Sequence, residues 1–418
     1  MKTVVTIKYI LCVLLLSSCL KNQDEEVDFI QSTSVPLPEM YSGLENVQAY
    51  PIQDTFPYNI SLIKVQEYAD SDHFFLPHIN HFAVGDSGLL FIANRRKIEV
   101  FDSEGVHIKT LGGYGRGPGE FSNMAMLSPK VMSNRVYAYD DVLRRVNIFS
   151  MDSLSFSHTF KIPSRDVTNV SDTSITKLRD IYMVNDSLLL MGLSKLTREA
   201  EKGGYRRYDL FDLQGNIISE NVLSYNEHPA NSFYVFEMGQ TLPLTLLNVP
   251  TNSYFKIAFD SHQNIYTTKG DDFLIKIYDS DGTYSHAVYY PYKNIPVERE
   301  SIIEANSYNP AREKRIKEYE FPEVWPAIHQ LFVDDEGRLW VATIIDDEEH
   351  FEWWVLDDEG RLMTKFVLPG ERMRRNTSTR DSSIPVVKDG HFYTTERDTT
   401  TDINKIVKYK IVLEKGDQ

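Results

Sequence analysis

An all-β fold, a six-bladed β-propeller, is what this 418-residue sequence predicts, and three observations predict it. A strand-turn-strand unit recurs six times, acidic-Gly turns punctuate the units, and a further strand-like run precedes the first of them, where a ring needs it in order to close.

The first unit reads FAVGDSGLLFIAN (82 to 94), then IEVFDSEGVHIKTL (98 to 111). Period-2 apolar alternation bounded by Asp, Gly and Ser is the signature of paired strands and tight hairpins. The unit returns at 130–160, 181–220, 257–288, 331–367 and 385–414. Such units close radially, because repetition about an axis leaves only short protected edges.

The spacing of the units locates the insertions. First turns at Gly88, Asn134, Asp186, Asn264, Gly337 and Gly390 are separated by 46, 52, 78, 73 and 53 residues. The two long steps place insertions at about 223–253, which is rich in aromatics, and 293–326. In the second, VERESIIEA and the run after Asn309-Pro310 predict two short helices, with Asn309 as N-cap and Pro310 at the first helical position. The run ISLIKVQEYA, 60 to 69, predicts a strand that pairs with the strands after 385 and clasps both ends of the chain into one blade.

The N-terminus reads as an export signal. Lys2 and Lys8 precede an apolar core at 9–16 that is too short to span a bilayer. Leu16-Ser17-Ser18-Cys19 looks like a bacterial lipobox, which implies cleavage after Ser18, lipidation of Cys19 and attachment to a membrane through that lipid. An ordinary secretory signal with an accidental cysteine is the other reading. The domain plan is therefore a signal peptide at 1–18, a lipidated N-terminus and tether at 19–50, and the propeller at 51–418. Asp24, Glu25 and Glu26 resemble the acidic surface-export signal of Bacteroidota lipoproteins; the alternative is a solvated tether. The expected address is the outer membrane, either at the cell surface or facing the periplasm.

Cys12 falls inside the signal, so the mature chain keeps one cysteine, which leaves no disulfide, thiol nucleophile or Cys-type zinc site. Loss of Lys2 and Lys8 takes the net charge from −16 to −18, a field that repels nucleic acid, so no nucleic-acid partner is expected.

GGYGRGPGEF, 112 to 121, raises the question of a phosphate-cradling loop. That motif requires a strand before it and a helix after it, and EFSNMAMLSPKV carries no helix-initiating pattern and no GK[ST]. In an extended segment, Gly113, Gly115, Gly117 and Gly119 share one bare face while Tyr114, Arg116 and Pro118 project from the other. The bare face predicts close backbone packing, with Gly115 and Gly117 as the positions that need it. Together with EGRLW at 336–340, the preceding PAIHQLFVDD and the lipobox, this stretch resembles the NHL-type six-bladed propeller lipoproteins of Bacteroidota. The resemblance covers nearly all of the mature chain and implies the propeller fold and lipid anchoring, but no particular activity.

The remaining chemical signals are weak. The acidic turns at 102–105, 279–282, 334–337 and 357–360 invite calcium, but an EF-hand loop starting at Asp279 would place Tyr290 at its twelfth position, where a carboxylate is required. Hairpin turn chemistry is the simpler reading. His78 and His81 stand at HxxH spacing close to His73, in a stretch that reads as a strand and lacks HExxH. No metal, cofactor or catalytic residue is assigned. Phe233, Tyr234 and Phe236 in the first insertion, and Tyr289, Tyr290 and Tyr292 before the second, either stack on sugars or partners as exposed rings or fold back onto their own blades.

These readings lead to an expected binding or scaffold module that recognises a glycan, peptide or partner protein. The strand registers set Asn80, Arg116, Glu120, Arg179 and His329 near the channel mouth as candidate ligand-binding residues. The alternative is a propeller enzyme, a hydrolase or lyase with its site at that mouth, and two or more carboxylates or histidines converging there would favour it.

Overall fold

The computed structural model describes residues 35–69, 79, 81–86, 88–94, 96–122, 129–140, 142–161, 175–196, 204–227, 251, 255–308, 310–370, 372, 384–397 and 404–416. These form six antiparallel sheets arranged as the blades of a propeller. Blade 1 spans 81–112, blade 2 130–161, blade 3 175–227, blade 4 256–289, blade 5 328–369 and blade 6 386–415. Cys19, Asn80, His73, His78, Phe233, Tyr234 and Phe236 lie outside the described residues.

Each blade is two-faced because alternate residues of a strand point to opposite sides of its sheet. In blade 1, Ile98 and Val100 pack against Phe149 and Val136 of blade 2, while Leu90, Ile92 and Phe101 pack against Tyr68, Tyr393 and Ile406 of blade 6. Equivalent clusters join blades 2 and 3, 3 and 4, 4 and 5, and 5 and 6. The core is thus a ring of inter-blade layers, in which each fully buried large apolar side chain contributes about 1.5–3 kcal/mol.

One turn motif recurs within the blades. In Asp102–Val106, Asp212–Asn216, Asp260–Asn264, Asp334–Arg338 and Asp357–Arg361, the aspartate Oδ1 accepts the N–H groups two and four residues on. The fourth position needs a left-handed backbone, supplied by Gly105 (φ 84°), Gly215 (87°), Gly337 (83°) and Gly360 (81°). These carboxylates are therefore occupied by their own turns. The glycines also let the turn between third and fourth strands seat on the preceding blade: a Cβ at Gly105 would lie 2.3 Å from the Gln66 side chain, and one at Gly360 2.4 Å from Val288.

The ring closes through the N-terminal chain. β1 (Val47–Ala49) adds a parallel fifth strand to blade 4, Val47 opposite Ala287 and Ala49 opposite Tyr289. Val35, Leu37, Tyr41 and Leu44 pack beside it on Leu274 and Tyr289. The stretch read as a tether at 19–50 therefore joins the propeller from Val35 onward. Tyr50 then stacks on Tyr290 at 5.6 Å and donates to the Glu359 carbonyl of blade 5. β2 (Tyr58–Tyr68) follows as the outer strand of blade 6, antiparallel to Asn404–Lys415 from Tyr58 opposite Lys415 to Tyr68 opposite Ile406.

In a four-stranded meander, the 1–2 and 3–4 turns lie at one end, and the 2–3 turns and the links to the next blade lie at the other. The Asp-capped turns all belong to the first end, the turn face. The second end, the link face, carries the GGYGRGPGEF loop and two helices between blades 4 and 5, α1 (Arg299–Ala305) and α2 (Pro310–Lys317). Ile302 and Ile316 bury these helices against Trp325, Phe351 and Trp353.

Candidate functional site

The link between blades 1 and 2 is a tightly constrained feature of the link face. Gly112 and Gly119 have φ of 78° and 72°, and a Cβ on either would run into an aromatic ring, 2.4 Å from Phe121 or 2.9 Å from Phe156. The loop is pinned by Phe121 N–H to Gly113 O (2.8 Å) and Gly115 N–H to Phe121 O (3.1 Å). Its concave side holds its own anion: the Glu120 carboxylate accepts the Gly117 N–H at 2.7 Å, and a Cβ at Gly115 would fall 2.0 Å from that carboxylate. Where a phosphate loop receives its ligand, this loop receives Glu120.

Two expectations about this stretch change. Its backbone runs through bends and a turn rather than an extended strand, although Tyr114, Arg116 and Pro118 are exposed on one side as the alternation predicts. The left-handed positions are Gly112 and Gly119, whereas Gly115 and Gly117 make room for a carboxylate. Gly119→Val should therefore lower stability by about 1–3 kcal/mol through backbone strain and its clash with Phe156. Millimolar ATP, GTP or NAD should leave the wild-type melting temperature unmoved in a thermal-shift assay.

Blade 2 carries the loop from below. Arg145, at the start of the third strand, donates to the carbonyls of Arg116 (3.1 Å), Gly117 (2.7 Å) and Glu120 (2.7 Å), and Asn147 also donates to Glu120 O. On the outer side, the Arg96 guanidinium lies 4.1 Å from the centre of the Tyr114 ring, and that ring is 71% exposed. Asp140, buried alongside, accepts from the Ser122 N–H and hydroxyl and from the Leu143 N–H.

Nearer the axis, the first strands begin with His81, Lys130 and Lys256 in blades 1, 2 and 4, and His329 is the second residue of the first strand of blade 5. Burial, reinforced by the positive charge of Lys130, pushes the His81 imidazole down to about 4, so it is neutral at physiological pH. His329 stacks flat on Phe351, with ring centres 4.0 Å apart and planes 10° apart. Arg179 and His329 occupy matching bulges in the first strands of blades 3 and 5, each left without an opposite number on the second strand.

Arg116 and Glu120 thus share one loop, while Arg179 and His329 belong to other blades. Among the described residues, no three His, Cys, Asp or Glu side chains gather where a metal ion could be held. The second aromatic group takes the other of its two readings: Tyr290 is buried between Phe273 and Trp354, each 5.2 Å away, Tyr289 is buried on blade 4, and Tyr292 packs on Trp354. Arg96, Arg144 and Arg145 escaped the sequence reading. Their signal was a run of arginines in the 2–3 turns of two successive repeats, at 95–96 and 144–145.

Sheet order, inter-blade cores and strand closure define a six-bladed β-propeller. The chain belongs to the DUF5128 family, described as a 6-bladed beta-propeller, whose model matches residues 68–350. Among solved structures, it is similar to a protein of Bacteroides fragilis described as exported, at 14% identity and a TM-score of 0.47, covering 88% of this chain and 100% of that one. It is also similar to a member of the DUF4221 family from Bacteroides vulgatus, at 11% identity and a TM-score of 0.50, covering 85% and 99%. Virginiamycin B lyase from Staphylococcus aureus aligns at 10% identity and a TM-score of 0.36, covering 85% and 100%. No curated protein matches the chain. No helix among the described residues is long and apolar enough to cross a membrane.

Proposed function

We propose that this chain is an NHL-type propeller lipoprotein, anchored through Cys19 in the outer membrane and displayed at the cell surface, that binds a glycan, peptide or partner protein on its link face. The observation that carries the reading is the division of labour between the two ends. The five capping aspartates of the turn face are spent on their own backbone, whereas the link face presents a pinned loop with an exposed tyrosine and arginine. Binding residues are commonly held on loops that a rigid scaffold positions. The anchor rests on the order of Lys2, Lys8, the apolar core and Ser18-Cys19, and surface display on Asp24, Glu25 and Glu26.

Two measurements test this. Cys19→Ala should move the folded protein from the membrane to the soluble fraction and abolish palmitate labelling; a labelled product that stays in the membrane overturns the anchor. Hydrogen exchange on the full-length protein, with and without ligands captured from a glycan array or a pull-down, should show protection on the link face. Protection confined to the turn face overturns the assignment of the binding surface.

A further inference from the structure

The link face above blades 1 and 2 is basic in a chain whose net charge is −16. Arg96, Arg116 and Arg145 come together there: Arg96 lies against Tyr114 of the glycine loop, which also carries Arg116, and Arg145 donates to the carbonyls of that loop. Arg116 is exposed. Arg145 is held by backbone carbonyls, which orient its guanidinium without cancelling its charge. Arg96 rests on the Tyr114 ring, and its Nε is buried without a hydrogen-bond partner. Among the described residues, two carboxylates engage this loop and the chain beside it: Glu120, engaged by the Gly117 N–H, and Asp140, buried and engaged by Ser122 and Leu143. Three guanidinium groups against these two carboxylates leave the patch positive.

We propose that this patch binds an anionic glycan, a polysaccharide bearing carboxylate or sulfate groups. The inference rests on the binding-module reading and names its ligand. Arg96 and Arg116 take the anionic groups, since a planar guanidinium matches the paired oxygens of a carboxylate or sulfate. Tyr114 supplies what an acidic peptide would not need: a ring held from one side by Arg96 and open to solvent over most of its surface, suited to stacking on a sugar face. The Arg145 bonds to the loop carbonyls fix Arg116 and Tyr114 in place before the ligand arrives, which limits the ordering cost of binding.

The test uses the full-length protein in detergent and affinity electrophoresis through gels containing polygalacturonate, chondroitin sulfate, neutral dextran or poly-L-glutamate. Retardation is expected with polygalacturonate or chondroitin sulfate, decreasing with added salt, and not with dextran. Arg96→Gln with Arg116→Gln should weaken it by about tenfold, and Tyr114→Ala by about fivefold, with melting temperatures unchanged. Should the double variant fail to fold, Arg116→Glu alone, at an exposed side chain, carries the same test. Equal retardation by dextran, insensitivity to these variants, or poly-L-glutamate retardation that ignores Tyr114→Ala each overturns the proposal. If neither anionic glycan binds while another ligand protects the link face from exchange, the glycan assignment falls and the binding-module reading stands. Protection restricted to the turn face removes both.

Discussion

Deleting residues 1–69 is expected to cost about 5 kcal/mol or more, enough to exhaust the stability of an ordinary domain and abolish the cooperative melting transition. The reason is the position of β2. It is the outer strand of blade 6, so its loss strips the ladder partner from Asn404–Lys415 along nearly its whole length. It also removes Ile60 and Leu62 from the layer between blades 5 and 6, and Tyr68, wholly buried, from the layer between blades 6 and 1. Tyr68, wholly buried, contributes about 1.5–3 kcal/mol, the half-buried Ile60 and Leu62 add part of that range each, and the newly exposed edge of Asn404–Lys415 adds the rest. Deleting only residues 1–50 removes β1 from blade 4, leaves the ring closed, and should cost about 1–3 kcal/mol. Circular dichroism melts of the two truncations separate the effects, and an unchanged transition in the longer deletion would refute the clasp.

The ring was legible in the sequence because its information is local and repeated. Each blade carries its own alternation, and blades 1, 3, 4 and 5 each carry an Asp-x-x-Gly turn, so weak local signals reinforce one another. The closing strand was legible for the same reason, since ISLIKVQEYA has the composition of a strand and the ring has one place for it. β1 was not. Three residues, Val47, Gln48 and Ala49, carry no period, and their partner at 287–289 lies more than two hundred residues away. The same holds for the site. Glycine spacing announced a tight loop, but not that Glu120, three residues after Gly117, would fill it. Arg145 was hidden because its role is defined by carbonyls of the link loop some 25 residues earlier, and a carbonyl leaves no mark in the sequence. Tyr290 was misleading in the opposite sense: it precedes an insertion, yet its burial comes from Phe273 and Trp354, which fold in from elsewhere.

Asp334→Ala should destabilise the propeller by about 3–5 kcal/mol, the range expected when one partner of a buried, hydrogen-bonded ion pair is removed. Asp334 is 3% exposed. Its Oδ1 accepts the N–H groups of Glu336 (3.0 Å) and Arg338 (2.8 Å), as in the other capped turns. Its Oδ2 does more, accepting Arg338 Nε at 2.7 Å and Trp340 Nε1 at 2.8 Å, with Trp340 wholly buried. Alanine would strand the buried indole N–H, at about 1–3 kcal/mol for an orphaned group, and would leave the Arg338 side chain, 11% exposed, with Glu336 at 2.9 Å as its remaining carboxylate. Asp212 is the matched comparison, because it caps the same turn with Gln214 and Asn216 but does so at the surface. Asp212→Ala should cost only about 1 kcal/mol, near the usual value of a capping bond. The pair also tests calcium: an ion bound by these turns would raise the wild-type melting temperature on addition, and EDTA would lower it. Neither shift is expected, since the turn carboxylates already accept from their own backbone, and a calcium-dependent transition lost in Asp334→Ala would show that the turns hold metal after all.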